Sequence, residues 1–62
     1  MKVPRYLIFI ENQLVDMVWD SEDADILAQE YADENKKAVW VLERDTGEVY
    51  NYYPKEAIKY RP

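Results

Sequence analysis

Seven carboxylates fall between Asp20 and Glu34 with no basic residue among them: Asp20, Glu22, Asp23, Asp25, Glu30, Asp33 and Glu34. Such a density suggests three chemistries. Calcium binding is the first, but Asp20-Ser21-Glu22-Asp23-Ala24-Asp25 lacks the glycine at the sixth loop position and the distal bidentate glutamate that such a loop needs. A glycosidase-like pair of carboxylates is the second, but 62 residues with one helix offer no deep cleft for a sugar. The third is electrostatic imitation. Helix side chains three or four apart sit about 5 to 6 Å from each other, close to the phosphate spacing of a nucleic-acid strand. A row of carboxylates then fits a basic protein groove, as in phage-type inhibitors that act as nucleic-acid mimics. The plainer alternative is a solvated helix face with favourable charges at its N-terminus.

Missing residue types narrow the field further. The chain has no His and no Cys, which removes the imidazole general base, the usual zinc and haem ligands, the thiolate nucleophile and any disulfide. Thirteen acidic residues against eight basic ones give a net charge of -5, which disfavours phosphate backbones and anionic lipid and favours a basic protein partner. The longest apolar run, Tyr6 to Ile10, is far short of the roughly 20 residues that span a bilayer. These features lead us to expect a non-enzymatic, cytoplasmic protein-binding module that uses no cofactor and no metal and does not bind nucleic acid or membrane directly.

The elements that would position these residues are readable from pattern. Arg5 to Ile10 and Leu14 to Trp19 are runs of aliphatic and aromatic residues, joined by a tight turn around Asn12. Asp20 and Ser21 can cap a helix, and Ala24, Leu27, Ala28, Tyr31, Ala32 and Asn35 then form one stripe that ends near Lys36 and Lys37. Ala38 to Arg44 and Glu48 to Tyr53 form a second hairpin across Asp45-Thr46-Gly47, where the single glycine supplies the left-handed position of a three-residue loop. The expectation is one α+β domain over residues 3–54, a ββαββ chain folded as a four-stranded sheet with the helix across one face. Residues 55–62 are read as a short basic tail with a single turn around Ala57 and Ile58.

Tyr6-Leu7-Ile8 in the first strand, Tyr31-Ala32 followed by Asn35 in the helix, and Trp40 opening the third strand make this layout similar to the immunoglobulin-binding domain of streptococcal protein G. The resemblance covers about half of the chain and implies a fold. It does not imply antibody binding, because the helix carries Asp25, Ile26, Gln29 and Asp33 without the lysines of that family.

Splitting each strand by parity assigns two faces. Tyr6, Ile8, Ile10, Val15, Met17, Trp19, Trp40, Leu42, Tyr50 and Tyr52 form the expected core side, against Leu27, Ala28 and Tyr31, if Arg44 faces Glu48. The other face then carries Leu7, Phe9, Leu14, Val18, Val39, Val41, Val49 and Tyr53, interrupted only by Arg5, Asp16, Glu43 and Asn51. Near-continuous apolar strands of this kind signal burial on both sides. The expected cover is a second copy in a homodimer, with the tail, through Ala57, Ile58 and Tyr60, or another protein as the alternatives.

On the helix, Glu22, Asp25, Ile26, Gln29, Glu30 and Asp33 form the candidate surface for a basic partner, with Ile26 an apolar anchor among acids. Two alternatives accompany this reading. One is a structural homodimer in which the sheet face is the whole function. The other is base stacking of single-stranded nucleic acid on Tyr50, Tyr52 and Tyr53, which would draw its cations from Lys55, Lys59 and Arg61.

Overall fold

The structure is a computed structural model that describes residues 3–55. The strands and helix expected from pattern are present: β1 (Tyr6–Ile10), β2 (Gln13–Val18), α1 (Ser21–Asn35), β3 (Val39–Glu43) and β4 (Val49–Tyr52). They build one four-stranded sheet in the order β2-β1-β3-β4, with every neighbouring pair antiparallel. The two hairpins thus lie side by side, joined through β1 and β3, and α1 packs against the sheet. The turn around Ala57 and Ile58 and the cover by Ala57, Ile58 and Tyr60 lie outside the described residues.

Local chemistry accounts for the helix limits. Asp20 adopts extended backbone at the N-cap (φ -108°, ψ 138°), its carbonyl takes the first helical bond from Ala24 N–H at 3.0 Å, and Glu22 and Asp23 sit in the first turn, where the dipole favours negative charge. At the other end Lys36 turns into the left-handed region at φ +56°. The Asn35 side-chain amide donates to the Tyr31 carbonyl at 2.8 Å, pairing one of the last-turn oxygens.

Three alanines set the helix-to-sheet distance. Ala24, Ala28 and Ala32 recur every fourth residue and are buried against Ile8, Val18, Val39 and Val41. With only a methyl group at each contact, the helix backbone comes close to the β-branched side chains beneath it. Leu27 and Tyr31 flank this seam half-buried instead of forming its centre.

Two features shift the faces from simple alternation. In β2 the register changes between Ile8↔Asp16 and Phe9↔Leu14, leaving Val15 as the extra residue of a β-bulge. Beyond the bulge parity reverses, so Asp16 and Val18 lie beside Ile8 and Tyr6 on the helix side and Met17 lies beside Leu7 on the other. In the second hairpin Glu43 N–H donates to Glu48 O at 2.9 Å and Gly47 N–H to Glu43 O at 2.8 Å. The loop is therefore four residues, 44–47, with Gly47 at φ +77°, and Leu42 faces Val49. The expected Arg44–Glu48 pairing is off by one.

These shifts correct the face assignment. Val18, Val39 and Val41, expected on the outer face, are 9%, 0% and 1% exposed beneath α1. Met17, Trp19, Trp40, Leu42 and Tyr50, expected in the core, are not part of it, and Met17, Trp19 and Tyr50 are exposed. Asp16, expected as an outward interruption, accepts a hydrogen bond from the Tyr31 hydroxyl at 3.0 Å. That bond holds the Tyr31 hydroxyl above its ordinary pKa, with desolvation adding to it. Glu43 is likewise turned to the helix side and buried, with Arg5 Nη2 and Nε donating to its Oε2 at 2.8 and 3.0 Å.

Candidate functional site

The face of the sheet away from α1 carries two cross-strand rows. One runs Met17, Leu7, Leu42, Val49 across β2, β1, β3 and β4, and the next runs Leu14, Phe9, Trp40, Asn51. Seven of these eight positions are apolar and none is charged. The central four are partly shielded by one another, whereas Leu14, Met17 and Val49 are 44%, 46% and 50% exposed. The Phe9 and Trp40 rings stack, and Trp40 Nε1–H donates to the Glu11 carbonyl at 2.7 Å.

Of the outer-face residues expected from the sequence, Leu7, Phe9, Leu14 and Val49 stand on this face. Tyr53 follows β4 and is 60% exposed. Parity missed Met17, Trp40 and Leu42. The apolar character of the face had a legible signal in the run of greasy strands, but its membership depended on the bulge and the loop length.

The acidic helix surface divides in two. Glu22, Ile26 and Glu30 are exposed, with Ile26 at 56%. Gln29 and Asp33 are instead engaged by the chain's own segment after β4. Gln29 Nε2 donates to the Tyr53 carbonyl at 2.9 Å and to Asp33 Oδ1 at 3.1 Å, and the Lys55 backbone N–H donates to the same Asp33 oxygen at 2.9 Å. That backbone hydrogen bond is the main reason the Asp33 carboxyl lies below its ordinary pKa. Asp25 stands near Tyr52, whose hydroxyl is pushed up to about 12 by burial first and by the neighbouring Asp25 carboxylate second. Asp25, Ile26, Gln29, Glu30 and Asp33 do converge, with Lys55, on one shallow depression of about 410 Å³.

Among the described residues no group of three or more carboxylates is arranged to hold a metal ion, and no helix is long and apolar enough to cross a membrane. Comparison with protein-family models, curated proteins and solved structures returns no match. The likeness to the protein G domain therefore rests on element order and a few residues.

Proposed function

We propose that this chain is a non-enzymatic protein-interaction module that pairs with a second copy of itself, sheet against sheet, through the face away from α1. The observation that carries this reading is the uncharged patch of Leu7, Phe9, Leu14, Met17, Trp40, Leu42 and Val49. Charge bears on the choice of occupant. Two copies, each of net charge -5, should repel, but face-to-face sheets pack about 10 Å apart, which sets the two acidic helices on the outer layers. Their separation is then several times the Debye length of about 8 Å at physiological salt. Four strands about 4.8 Å apart and five residues at about 3.4 Å each give the patch a projected area of roughly 320 Å². That is below the ~800 Å² per partner of a standard interface, so the pairing expected is weak and concentration-dependent.

A second reading is favoured by Glu22, Ile26 and Glu30, which stand exposed together on α1. It is an acidic surface for a basic protein partner, in the manner of an inhibitor that imitates nucleic acid. Base stacking by the tyrosines of β4 receives less support, since Tyr50 and Tyr52 lie on the helix side of the sheet beside carboxylates.

Solution mass as a function of concentration tests the first reading. Twice the chain mass is expected at high concentration, and the monomer in Met17→Glu and Val49→Glu, both exposed positions that leave the core intact. A wild-type monomer at every concentration, or a dimer indifferent to both substitutions, would refute sheet pairing. Charge reversal at Glu22 and Glu30 tests the second reading separately, because neither residue lies on the sheet.

A further inference from the structure

A different surface lies on the helix side, where the start of α1 stands over β4. An open groove of about 320 Å³ is walled there by Tyr6, Tyr50 and Tyr52, with Val41 at its floor and Ser21 and Asp25 on the helix edge. The register explains the convergence of rings: Tyr50 and Tyr52 face Val41 and Val39, which lie on the same side of the sheet as Tyr6.

We infer that this groove binds the guanidinium group of an arginine in a basic partner segment. Three observations on this chain support that occupant. First, carboxylates stand beside the groove's tyrosines, since the Tyr50 hydroxyl donates to Glu48 Oε1 at 2.6 Å and Asp25 lines the groove together with Tyr52. Second, neither carboxylate has an ion-pair partner among the described residues, whereas Glu43, Asp45 and Glu11 do. Third, the same combination of ring and carboxylate already holds a guanidinium at the groove's rim. Arg5 lies over the Tyr6 ring at 5.9 Å from its centroid while its Nη2 contacts Glu43 Oε2 at 2.8 Å.

Competing ligands fit less well. The N-terminus of α1 contributes a positive partial charge of about one half, which alone would invite an anion. Four full negative charges at Asp20, Glu22, Asp23 and Asp25 outweigh it, so phosphate is repelled and stacked nucleotides with it. Between the two cationic side chains, a planar guanidinium stacks on an aromatic ring and forks onto a carboxylate, and it is less strongly hydrated than an ammonium group. The Tyr50 hydroxyl, pushed up to about 12 chiefly by its bond to Glu48, remains a neutral donor to that carboxylate at physiological pH.

The test is a nuclear magnetic resonance titration of the full chain with N-acetyl-arginine methylamide, its norleucine analogue and a short single-stranded oligonucleotide. Saturable shifts at Tyr6, Asp25, Tyr50 and Tyr52 are expected with the arginine probe alone. The double variant Asp25→Asn, Glu48→Gln should weaken that binding at least about ten-fold, the loss expected for a charge-assisted hydrogen bond. Ser21→Arg, at an exposed position on the groove's edge, supplies a competing guanidinium and should abolish it. Met17→Glu should leave it unchanged, which separates this site from sheet pairing. Equal response to norleucine, saturation of the same residues by the oligonucleotide, or wild-type affinity in the carboxylate and Ser21→Arg variants would each overturn the assignment.

Discussion

The Phe9 and Trp40 rings lie parallel on the uncovered face of the sheet, 4.1 Å between centroids and 8° between planes. They belong to the two central strands, face each other directly across the ladder, and are held further by the bond from Trp40 Nε1–H to the turn at Glu11. Rings ordered in advance lose little rotamer entropy when a partner covers them. A stacked pair contributes about 0.5 to 1.5 kcal/mol beyond its buried area. A double-mutant cycle of Phe9→Ala and Trp40→Ala, followed by denaturant unfolding at a concentration where the chain is monomeric, should therefore return a coupling of about 1 kcal/mol. Strictly additive losses would mean that the rings touch without stabilising the sheet.

The first hairpin carries a strained residue that glycine would relieve. Ile10 pairs with Gln13, so Glu11 and Asn12 form a two-residue turn, and Glu11 holds φ at +57°. A side chain in the left-handed region costs roughly 1 to 2 kcal/mol, partly offset in a glycine variant by the greater entropy of the unfolded chain. The Glu11 side chain does little to compensate, because its contact with Lys37 is exposed and 3.6 Å long. Glu11→Gly should raise the unfolding free energy by about 0.5 to 1 kcal/mol in a denaturant melt. A loss of stability would show that the carboxylate contributes more than its exposed contact suggests.

The pattern of apolar runs, the capping of α1 at Asp20 and the single glycine at position 47 were sufficient to read element order and boundaries within a residue or two. The side-chain faces were not legible in the same way. A strand alternates with a period of two, so one extra residue at Val15 and one more in the 44–47 loop reversed the placement of Met17, Val18, Trp40 and Val41 while leaving every element in place. Tyr50 and Tyr52 kept their expected sheet face because the two slips in the second hairpin, of strand face and of register, cancel for β4, although Tyr50 remains exposed there. The helix shows a different limit. Periodicity puts Gln29 and Asp33 on the outward side with Ile26, but it carries no information about the segment after β4 crossing back to bond with them.

That crossing makes the attachment of Tyr53 to Lys55 sensitive to acid through a single group. Asp33 Oδ1 accepts both the Lys55 backbone N–H at 2.9 Å and the Gln29 amide at 3.1 Å, and the folded chain holds its carboxyl below the ordinary value mainly through the first of these. In the unfolded chain an aspartate titrates near about 3.9. A pKa lowered on folding means that the ionised form binds better in the folded state. The stabilisation is therefore fully present above the unfolded value and is lost as pH falls through the lower folded one. The Lys55 amide resonance should be constant from neutral pH down to the ordinary aspartate range and then move with a midpoint below it. Its hydrogen exchange, corrected for the intrinsic pH dependence, should accelerate over the same interval. Asp33→Asn keeps an acceptor oxygen but has no proton to gain, so the step should vanish from both profiles. If the Lys55 amide titrated at the ordinary aspartate value, or kept its step in the asparagine variant, the hold on this segment would lie elsewhere than in the Asp33 carboxylate.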